Sequence, residues 1–134
     1  MHELAMTENI LSTALRYATQ ANAQRVTDLY FVVGQLSNIA DESVQFYWDT
    51  ISPDTLCAGA RLHFEHEPAQ LKCLNCQHIF VLPDDRIACP QCQNERVQVI
   101  GGMDFRLASI EIATANEMLQ TDIGELIVEP PHQH

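Results

Sequence analysis

The chain has 134 residues, enough to bury one modest hydrophobic core. Its 18 Asp and Glu residues against 7 Lys and Arg give a net charge of −11, which disfavours nucleic acid and anionic membranes as partners. No stretch approaches the roughly 20 apolar residues of a membrane span, and the N-terminus lacks the pattern of a secretion signal. We therefore expect a cytoplasmic protein. Its oligomeric state, monomer or homodimer, stays open.

The first part of the chain predicts a helix followed by a strand. Residues 3–20 repeat apolar side chains at helical spacing, as an amphipathic helix does. Residues 25–33 alternate as a half-buried strand does, and Gly34 is expected to end this strand. The predicted inner face consists of Thr27, Leu29, Phe31 and Val33.

The next part predicts a second helix and a second strand. Asp41 is a suitable N-cap, and Pro53 closes the helix. The stripe expected to pack on the sheet consists of Val44, Tyr47, Trp48 and Ile51. Residues 60–67 alternate apolar and polar side chains, which predicts a half-buried strand. Its two histidines, His63 and His66, fall on opposite faces and cannot share one ion, so one is expected exposed and the other packed.

Four cysteines follow in the pattern Cys73-x2-Cys76-x12-Cys89-x2-Cys92. Four sulfur ligands at this spacing fit tetrahedral zinc and leave no position open for water, so the metal is expected to be structural. A mononuclear iron site would fit the same pattern. A disulfide framework is disfavoured because nothing indicates secretion and Cys57 would be left unpaired. Cys57 is interpreted as a partly buried, inert thiol.

The remaining strands complete a predicted α+β fold. Strands are predicted at residues 97–100 and 104–112, the second of which returns to the main sheet. The fold is therefore two helices packed on a small, mostly antiparallel sheet, with an inserted four-cysteine zinc-ribbon-like lobe. The apolar patch expected to support this lobe consists of Ile79, Phe80, Val81 and Ile87.

This pattern divides the chain into three predicted parts. Residues 1–70 and 94–112 form an α/β domain, and residues 71–93 form the zinc lobe. Residues 113–134 are a C-terminal extension without clear periodicity, expected to be mobile and dispensable for the fold. Two histidines near its end, His132 and His134, are interpreted as part of a solvated tail rather than a metal site.

The N-terminus offers a chelate for a second metal. An X-His terminus can bind through the α-amine of Met1, the deprotonated amide nitrogen of His2 and the His2 imidazole, all in one plane. Ni(II) and Cu(II) favour such square-planar nitrogen donors. A fourth donor must come from elsewhere, and Glu3 is nearest in sequence. His78, just after the first cysteine pair, is a more distant candidate.

Three motifs occur together in one order: Met1-His2-Glu3-Leu4, Val33-Gly34-Gln35-Leu36-Ser37 and the paired cysteines. In this the chain resembles the HypA/HybF nickel metallochaperones of hydrogenase maturation, over about residues 1–112. The resemblance implies nickel binding by Met1, His2 and Glu3 and structural zinc at Cys73, Cys76, Cys89 and Cys92. It also implies partnership with a HypB-type GTPase and a hydrogenase large subunit precursor.

Two other classes of function compete with the hypothesis of a nickel metallochaperone. A zinc hydrolase needs an open metal position, which four cysteines close, so we expect no enzyme. A nucleic-acid-binding ribbon should be basic, yet residues 68–100 carry three basic and three acidic side chains. A zinc-ribbon module that docks proteins without nickel transfer stays open as the alternative.

Overall fold

The computed structural model describes the backbone of residues 2–83 and 86–128, and the side chains of residues 3–83 and 86–124. In chain order the elements are α1 (His2–Gln20), β1 (Arg25–Gly34), α2 (Asp41–Ile51), β2 (Arg61–Glu67), β3 (Gln70–Cys73), β4 (Ile79–Val81), β5 (Val97–Gly101), β6 (Phe105–Ala113) and β7 (Met118–Val128). They form a main sheet in the order β2-β1-β6-β7 and a second sheet in the order β4-β3-β5.

The main sheet is mostly antiparallel. β1 pairs antiparallel with β6, and β6 pairs antiparallel with β7. β2 lies parallel to β1 because α2 carries the chain back to the end of the sheet where β1 begins. The predicted fold, two helices and a mostly antiparallel sheet with an inserted four-cysteine lobe, is confirmed.

Both helices contribute to a single core above the main sheet. α1 buries Met6, Ile10, Ala14 and Ala18 at successive i+4 positions, so it faces the core along most of its length. α2 packs against α1 and adds Val44 and Trp48 to the same core. The sheet contributes Val26, Leu29, Phe31, Val33, Phe105, Leu107, Ile110 and Ile112. Neither helix within the described ranges is long and apolar enough to cross a membrane.

The predicted inner face of β1 is wrong at one position. The pairing of β1 with β6 is irregular between Val26 and Asp28, which shifts the alternation there. Val26, 1% exposed, therefore takes the core position predicted for Thr27. The Thr27 hydroxyl instead donates a hydrogen bond to the carbonyl oxygen of Glu111, at 3.2 Å.

The predicted cap of α2 is also wrong by one residue. The N-cap is Ala40, and no side chain caps this end of the helix. Asp41 is the first helical residue, where its carboxylate is favoured by the positive end of the helix dipole. The helix ends at Ile51, two residues before Pro53, as predicted.

The C-terminal extension contains a strand that the sequence did not predict. β7 pairs with β6 from Ala113 opposite Met118 to Phe105 opposite Val128. Ile123 packs against the core. The part of the extension from Met118 to Val128 is thus the outer strand of the main sheet, and not a mobile segment. Residues 129–134, with His132 and His134, lie outside the described residues, so their interpretation stays a prediction.

The second sheet forms the four-cysteine lobe and is an insertion between β2 and β6. Gln70 pairs with Gly101, and Cys73 pairs with Val97, so β3 and β5 close the lobe at its base. This lobe, residues 70–101, extends slightly beyond the predicted 71–93. The division of the chain into domains remains a prediction.

The predicted apolar support of the lobe is largely wrong. Phe80 is half-buried, because it lies opposite the buried Leu71 in the pairing of β3 with β4. Ile79, Val81 and Ile87 are 53%, 52% and 51% exposed. Ile79 and Val81 flank Phe80 on β4 and therefore point to the opposite face of a sheet that has only three strands.

The two sheets approach each other at Gly34 and Gly102. A Cβ on Gly34 would lie 2.5 Å from the carbonyl oxygen of Gly102. Gly102 has φ of +79°, and a Cβ there would lie 2.6 Å from the Cα of Ala69. The N–H of Leu36 donates to the carbonyl of Gly102 at 2.8 Å. Glycine in the Val33–Ser37 motif is thus required by backbone contact.

Replacing Gly34 by alanine is expected to lower the free energy of unfolding by about 1–3 kcal/mol, because backbone must move to admit the methyl group. Gly101→Ala is the matched control, since the nearest atom to its Cβ would be a side-chain oxygen of Gln70 at 3.5 Å. Urea denaturation of both variants measures the difference. Equal stability would show that the crossing point accommodates a side chain.

Candidate metal centres

The two cysteine pairs form knuckles with the same backbone. In each pair the first cysteine, Cys73 or Cys89, accepts at its carbonyl an N–H from the residue four positions later, at 2.9 Å in both. Each also donates its own N–H to the carbonyl five positions later, at 2.8 and 2.9 Å. The residues four positions later, Gln77 and Gln93, have positive φ of 69° and 67°. Cys-x2-Cys-Gln therefore occurs twice, a repeat that sequence reasoning missed.

The knuckles bring the four predicted zinc ligands together. The Sγ atoms of Cys73 and Cys92 are 3.6 Å apart, and those of Cys76 and Cys89 are 3.5 Å apart. All four Sγ atoms lie within 4.8 Å of one another. Zn–S bonds of about 2.3 Å in a tetrahedron separate the sulfurs by about 3.8 Å, so this set fits a tetrahedral metal site. Within the described ranges, no other group of three or more His, Cys, Asp or Glu side chains meets the same criterion.

Hydrogen bonds to sulfur favour the thiolate form. The Sγ atom of Cys73 accepts the backbone N–H groups of Asn75 and Cys76, at 3.3 and 3.4 Å. The side-chain amide of Asn75 donates to the Sγ atom of Cys92 at 3.5 Å. Such N–H···S bonds stabilise negative charge on the sulfur, which is the form that binds metal.

The four thiols cannot all ionise easily by themselves. The Asn75 side chain and the Asn94 backbone lower the pKa of Cys92 to about 6. At Cys76 a backbone hydrogen bond from His78 lowers the pKa, but desolvation and the three neighbouring sulfurs outweigh it and raise this pKa to about 12. Like charges this close oppose one another, so four thiolates call for a divalent cation between them.

The predicted nickel segment lies at the start of α1. His2 and Glu3 are its first two residues, and Met1 lies outside the described residues. The first four N–H groups of an α-helix have no acceptor within the helix, so the amide nitrogen of His2 is not committed to the hydrogen bonds of α1. The carbonyl of Glu3 accepts the Thr7 hydroxyl, one turn later.

Two further predictions concern single residues near the lobe and the core. His78 belongs to the first knuckle, where its carbonyl accepts the N–H of Cys73 and its ring stacks on Phe80 with centroids 6.0 Å apart. Its role as a nickel ligand stays a prediction. Cys57 is fully buried, and burial raises its pKa to about 12. Cys57 is therefore more buried than predicted, and the interpretation of its thiol as inert stays a prediction.

The prediction that one histidine of β2 is packed is wrong. The His63 and His66 side chains are 44% and 62% exposed. Each binds a carboxylate instead: the Nε2 atom of His63 lies 2.7 Å from Asp28, and that of His66 lies 2.7 Å from Asp41. The bond from His63 lowers the pKa of Asp28.

Fold and site together define a class: an α+β protein with an inserted four-cysteine metal lobe. A solved structure described as the Ni metallochaperone HypA from Helicobacter pylori has a TM-score of 0.60 and 22% identity, and the match covers 84% of this chain and 97% of that one. A second solution structure of a HypA protein has a TM-score of 0.66 and 23% identity over 84% and 96% of the two chains. These likenesses establish the shared fold.

Sequence relatives establish the family. The family model described as "Hydrogenase/urease nickel incorporation, metallochaperone, hypA" matches residues 1–112. Hydrogenase maturation factor HypA of Dehalococcoides mccartyi is 36% identical over 84% of this chain and 94% of its own length. Hydrogenase maturation factor HybF of Salmonella typhimurium is 30% identical over 84% and 99%. The chain therefore belongs to the HypA family. Residues 113–134, and with them β7, lie beyond the matched segment.

Proposed function

We propose that this protein is a nickel metallochaperone of [NiFe]-hydrogenase maturation, which binds Ni(II) at Met1, His2 and Glu3 and delivers it. The observation that carries the proposal is the family match over residues 1–112, which spans both the N-terminal segment and the four-cysteine lobe. Relatives that match over nearly their whole length are named as hydrogenase maturation factors. One structural neighbour is described as a Ni metallochaperone.

We assign Zn(II) to Cys73, Cys76, Cys89 and Cys92, with a structural role. The close approach of the four sulfurs supports a tetrahedral ion. Four thiolates would fill its coordination, so neither substrate nor water could reach the metal. The lobe would therefore stabilise structure and carry out no reaction, in line with a carrier that is not an enzyme.

The start of α1 suits a chelate that must release its cargo. Binding through the amide nitrogen of His2 requires that nitrogen to lose its proton, and the positive end of the helix dipole favours the resulting anion. A site at the start of a helix can also exchange ligands one by one with an acceptor. Protons compete for the α-amine and the imidazole, whose unperturbed pKa values are about 7.7–8.0 and 6.5, so acidification should weaken nickel binding.

The delivery step would involve a HypB-type GTPase and a hydrogenase large subunit precursor in the cytoplasm. A net charge of −11, which four zinc thiolates would take to about −13, favours a basic face on such a partner. The chain would act as a monomer or a homodimer. The printed names of the family model and of the relatives support a role in hydrogenase maturation. The GTPase and the large subunit precursor are the partners that the family resemblance implies.

His2→Ala is expected to weaken Ni(II) binding by more than about 100-fold, since losing a direct ligand exceeds the 10–100-fold effect typical of an outer-shell partner. Adding Gly-Ser before Met1 should weaken binding as well, because it keeps every side chain but replaces the α-amine by a peptide nitrogen. Competitive nickel titration and the d–d absorption of the complex measure both effects.

Zinc content and helical circular dichroism should stay unchanged in both proteins. Undiminished nickel affinity in His2→Ala would contradict the N-terminal site. Absence of nickel binding in the unaltered protein would favour the docking module without nickel transfer.

A further inference from the structure

The two histidines of β2 share the same local chemistry. In each, the Nε2 atom lies 2.7 Å from a carboxylate oxygen, of Asp28 for His63 and of Asp41 for His66. A carboxylate only accepts hydrogen bonds, so Nε2 carries the proton. In the neutral ring the other nitrogen, Nδ1, then has a free lone pair. Metal-bound histidines usually have this arrangement, with one ring nitrogen on the metal and the other donating to a carboxylate.

The two rings differ in the face of the main sheet on which they lie. Leu62 and Phe64 pack against the core, and His66 lies on the same face of β2 by alternation, where it meets the first residue of α2. His63 lies on the opposite face and stacks on Tyr30, with ring centroids 4.6 Å apart. Of the two histidines, only His66 is on the helical side of the sheet.

The rings also differ in their position along the sheet. β2 is parallel to β1 and ends beside it, with His66 opposite Val33. α1 ends where β1 begins, since the turn between them donates an N–H to the carbonyl of Ala18 at 2.9 Å. From there to Met6, α1 stays on the core, and a helix of 19 residues is about 28 Å long. From its C-terminal end, α1 therefore lies back along the main sheet. Its first residue, His2, lies toward the end of the sheet at which β1 and β2 end, and His66 is at that end.

The surface beside His66 has room for an ion and its ligands. An open cavity of about 370 Å³ is lined there by Val33, the Gly34-Gln35 turn, Ile39 and residues 66–68. The turn is held in place, because the Gln35 side-chain oxygen accepts the N–H of Ala69 at 2.8 Å. The cavity lies at the end of β1 and β2, the same end at which α1 and α2 begin.

We propose that His66 is a further nickel ligand, whose Nδ1 binds the ion held by the N-terminal segment while Asp41 fixes the ring through Nε2. This inference rests on the proposed function. The other carboxylate oxygen of Asp41, Oδ1, is buried without a hydrogen-bond partner among the described residues, so the bond from His66 is important to this carboxylate. Metal binding at Nδ1 makes the Nε2 proton a stronger donor and strengthens that bond. The donor is attached to a strand, and its bond to Asp41 holds the ring in place before the ion binds.

The test compares His66→Ala with His63→Ala, a matched control on the same strand with the same kind of carboxylate bond. Competitive Ni(II) titration should show affinity reduced by more than about 100-fold in His66→Ala, because a direct ligand is lost, and unchanged in His63→Ala. The d–d absorption of the nickel complex should change only in His66→Ala. In the unaltered protein with ¹⁵N-labelled histidine, one equivalent of Ni(II) should shift the Nδ1 resonance of His66 and leave that of His63 in place.

Each outcome separates the two proposals. Equal nickel affinity in the two variants, together with an unshifted His66 Nδ1 resonance, would overturn the role of His66. If His2→Ala still abolishes binding in that case, the N-terminal site stands without His66. If His66→Ala fails to fold, the resonance shift in the unaltered protein decides by itself.

Discussion

Removing the metal from the four-cysteine lobe is expected to unfold residues 70–101 and leave the main sheet folded. The lobe has little apolar burial of its own, with Leu71 the main fully buried large side chain and Ile79 and Val81 about half exposed. Structural zinc supplies about 10–16 kcal/mol in small zinc domains, and this binding energy is also their folding energy. No described residue of the lobe belongs to the main core, so the loss should stay local.

Cys89→Ser tests this expectation, because Cys89 is a fully buried member of the cysteine set. Cys57→Ala is the control, since it removes a buried cysteine outside that set. Metal analysis should find stoichiometric zinc in the control and little in Cys89→Ser. Amide NMR spectra should lose the dispersed signals of the lobe only in Cys89→Ser. A folded lobe without metal would contradict the structural role, and bound iron would contradict the assignment of zinc.

Ending the chain after Ala113 is expected to destabilise the main sheet and to cause self-association. β7 pairs with β6 along its length, and four apolar residues of β6, Phe105, Leu107, Ile110 and Ile112, are 0% exposed. Loss of one large buried side chain costs about 2–5 kcal/mol, and removal of β7 withdraws neighbours from all four. It also leaves β6 with an open edge, which other chains can pair with.

Ending the chain after Val128 provides the control, because it removes only residues 129–134 and leaves β7 intact. Urea denaturation and size-exclusion chromatography with light scattering compare the two truncated proteins. The shorter protein should unfold at lower urea concentration and form larger species. Equal stability and mass would restore the expectation from sequence that the whole extension is dispensable.

Sequence reasoning succeeded where the determining interactions are local. α1 and α2 follow from the spacing of apolar residues, and the cysteine set follows from ligand spacing within each knuckle. The opposite faces of His63 and His66 follow from strand alternation. Their exposure does not, because it depends on Asp28 and Asp41, which lie 35 and 25 positions away along the chain.

Sequence reasoning missed features of a strand that depend on its pairing with a neighbouring strand. β7 has an irregular register against β6 and a positive φ at Gly124, so its apolar residues do not alternate evenly. Met118 and Leu119 are 49% and 39% exposed, which weakens the pattern further. The irregularity in β1 places Val26 in the core, where Thr27 was expected. It depends on the pairing of β1 with β6, a strand about 80 positions away in the chain.

The base of the lobe affects the entropy of forming the main sheet. Val33 pairs with Phe105, and the connection from β2 to β6 contains the whole lobe. Once Gln70 pairs with Gly101, that connection behaves as a loop of a few residues rather than one of about 35. Loop-closure entropy grows with the logarithm of length, so this shortening favours the joining of β6 to β1 by on the order of 1 kcal/mol. An ion bound by the cysteines would thus assist assembly of a core that it never touches.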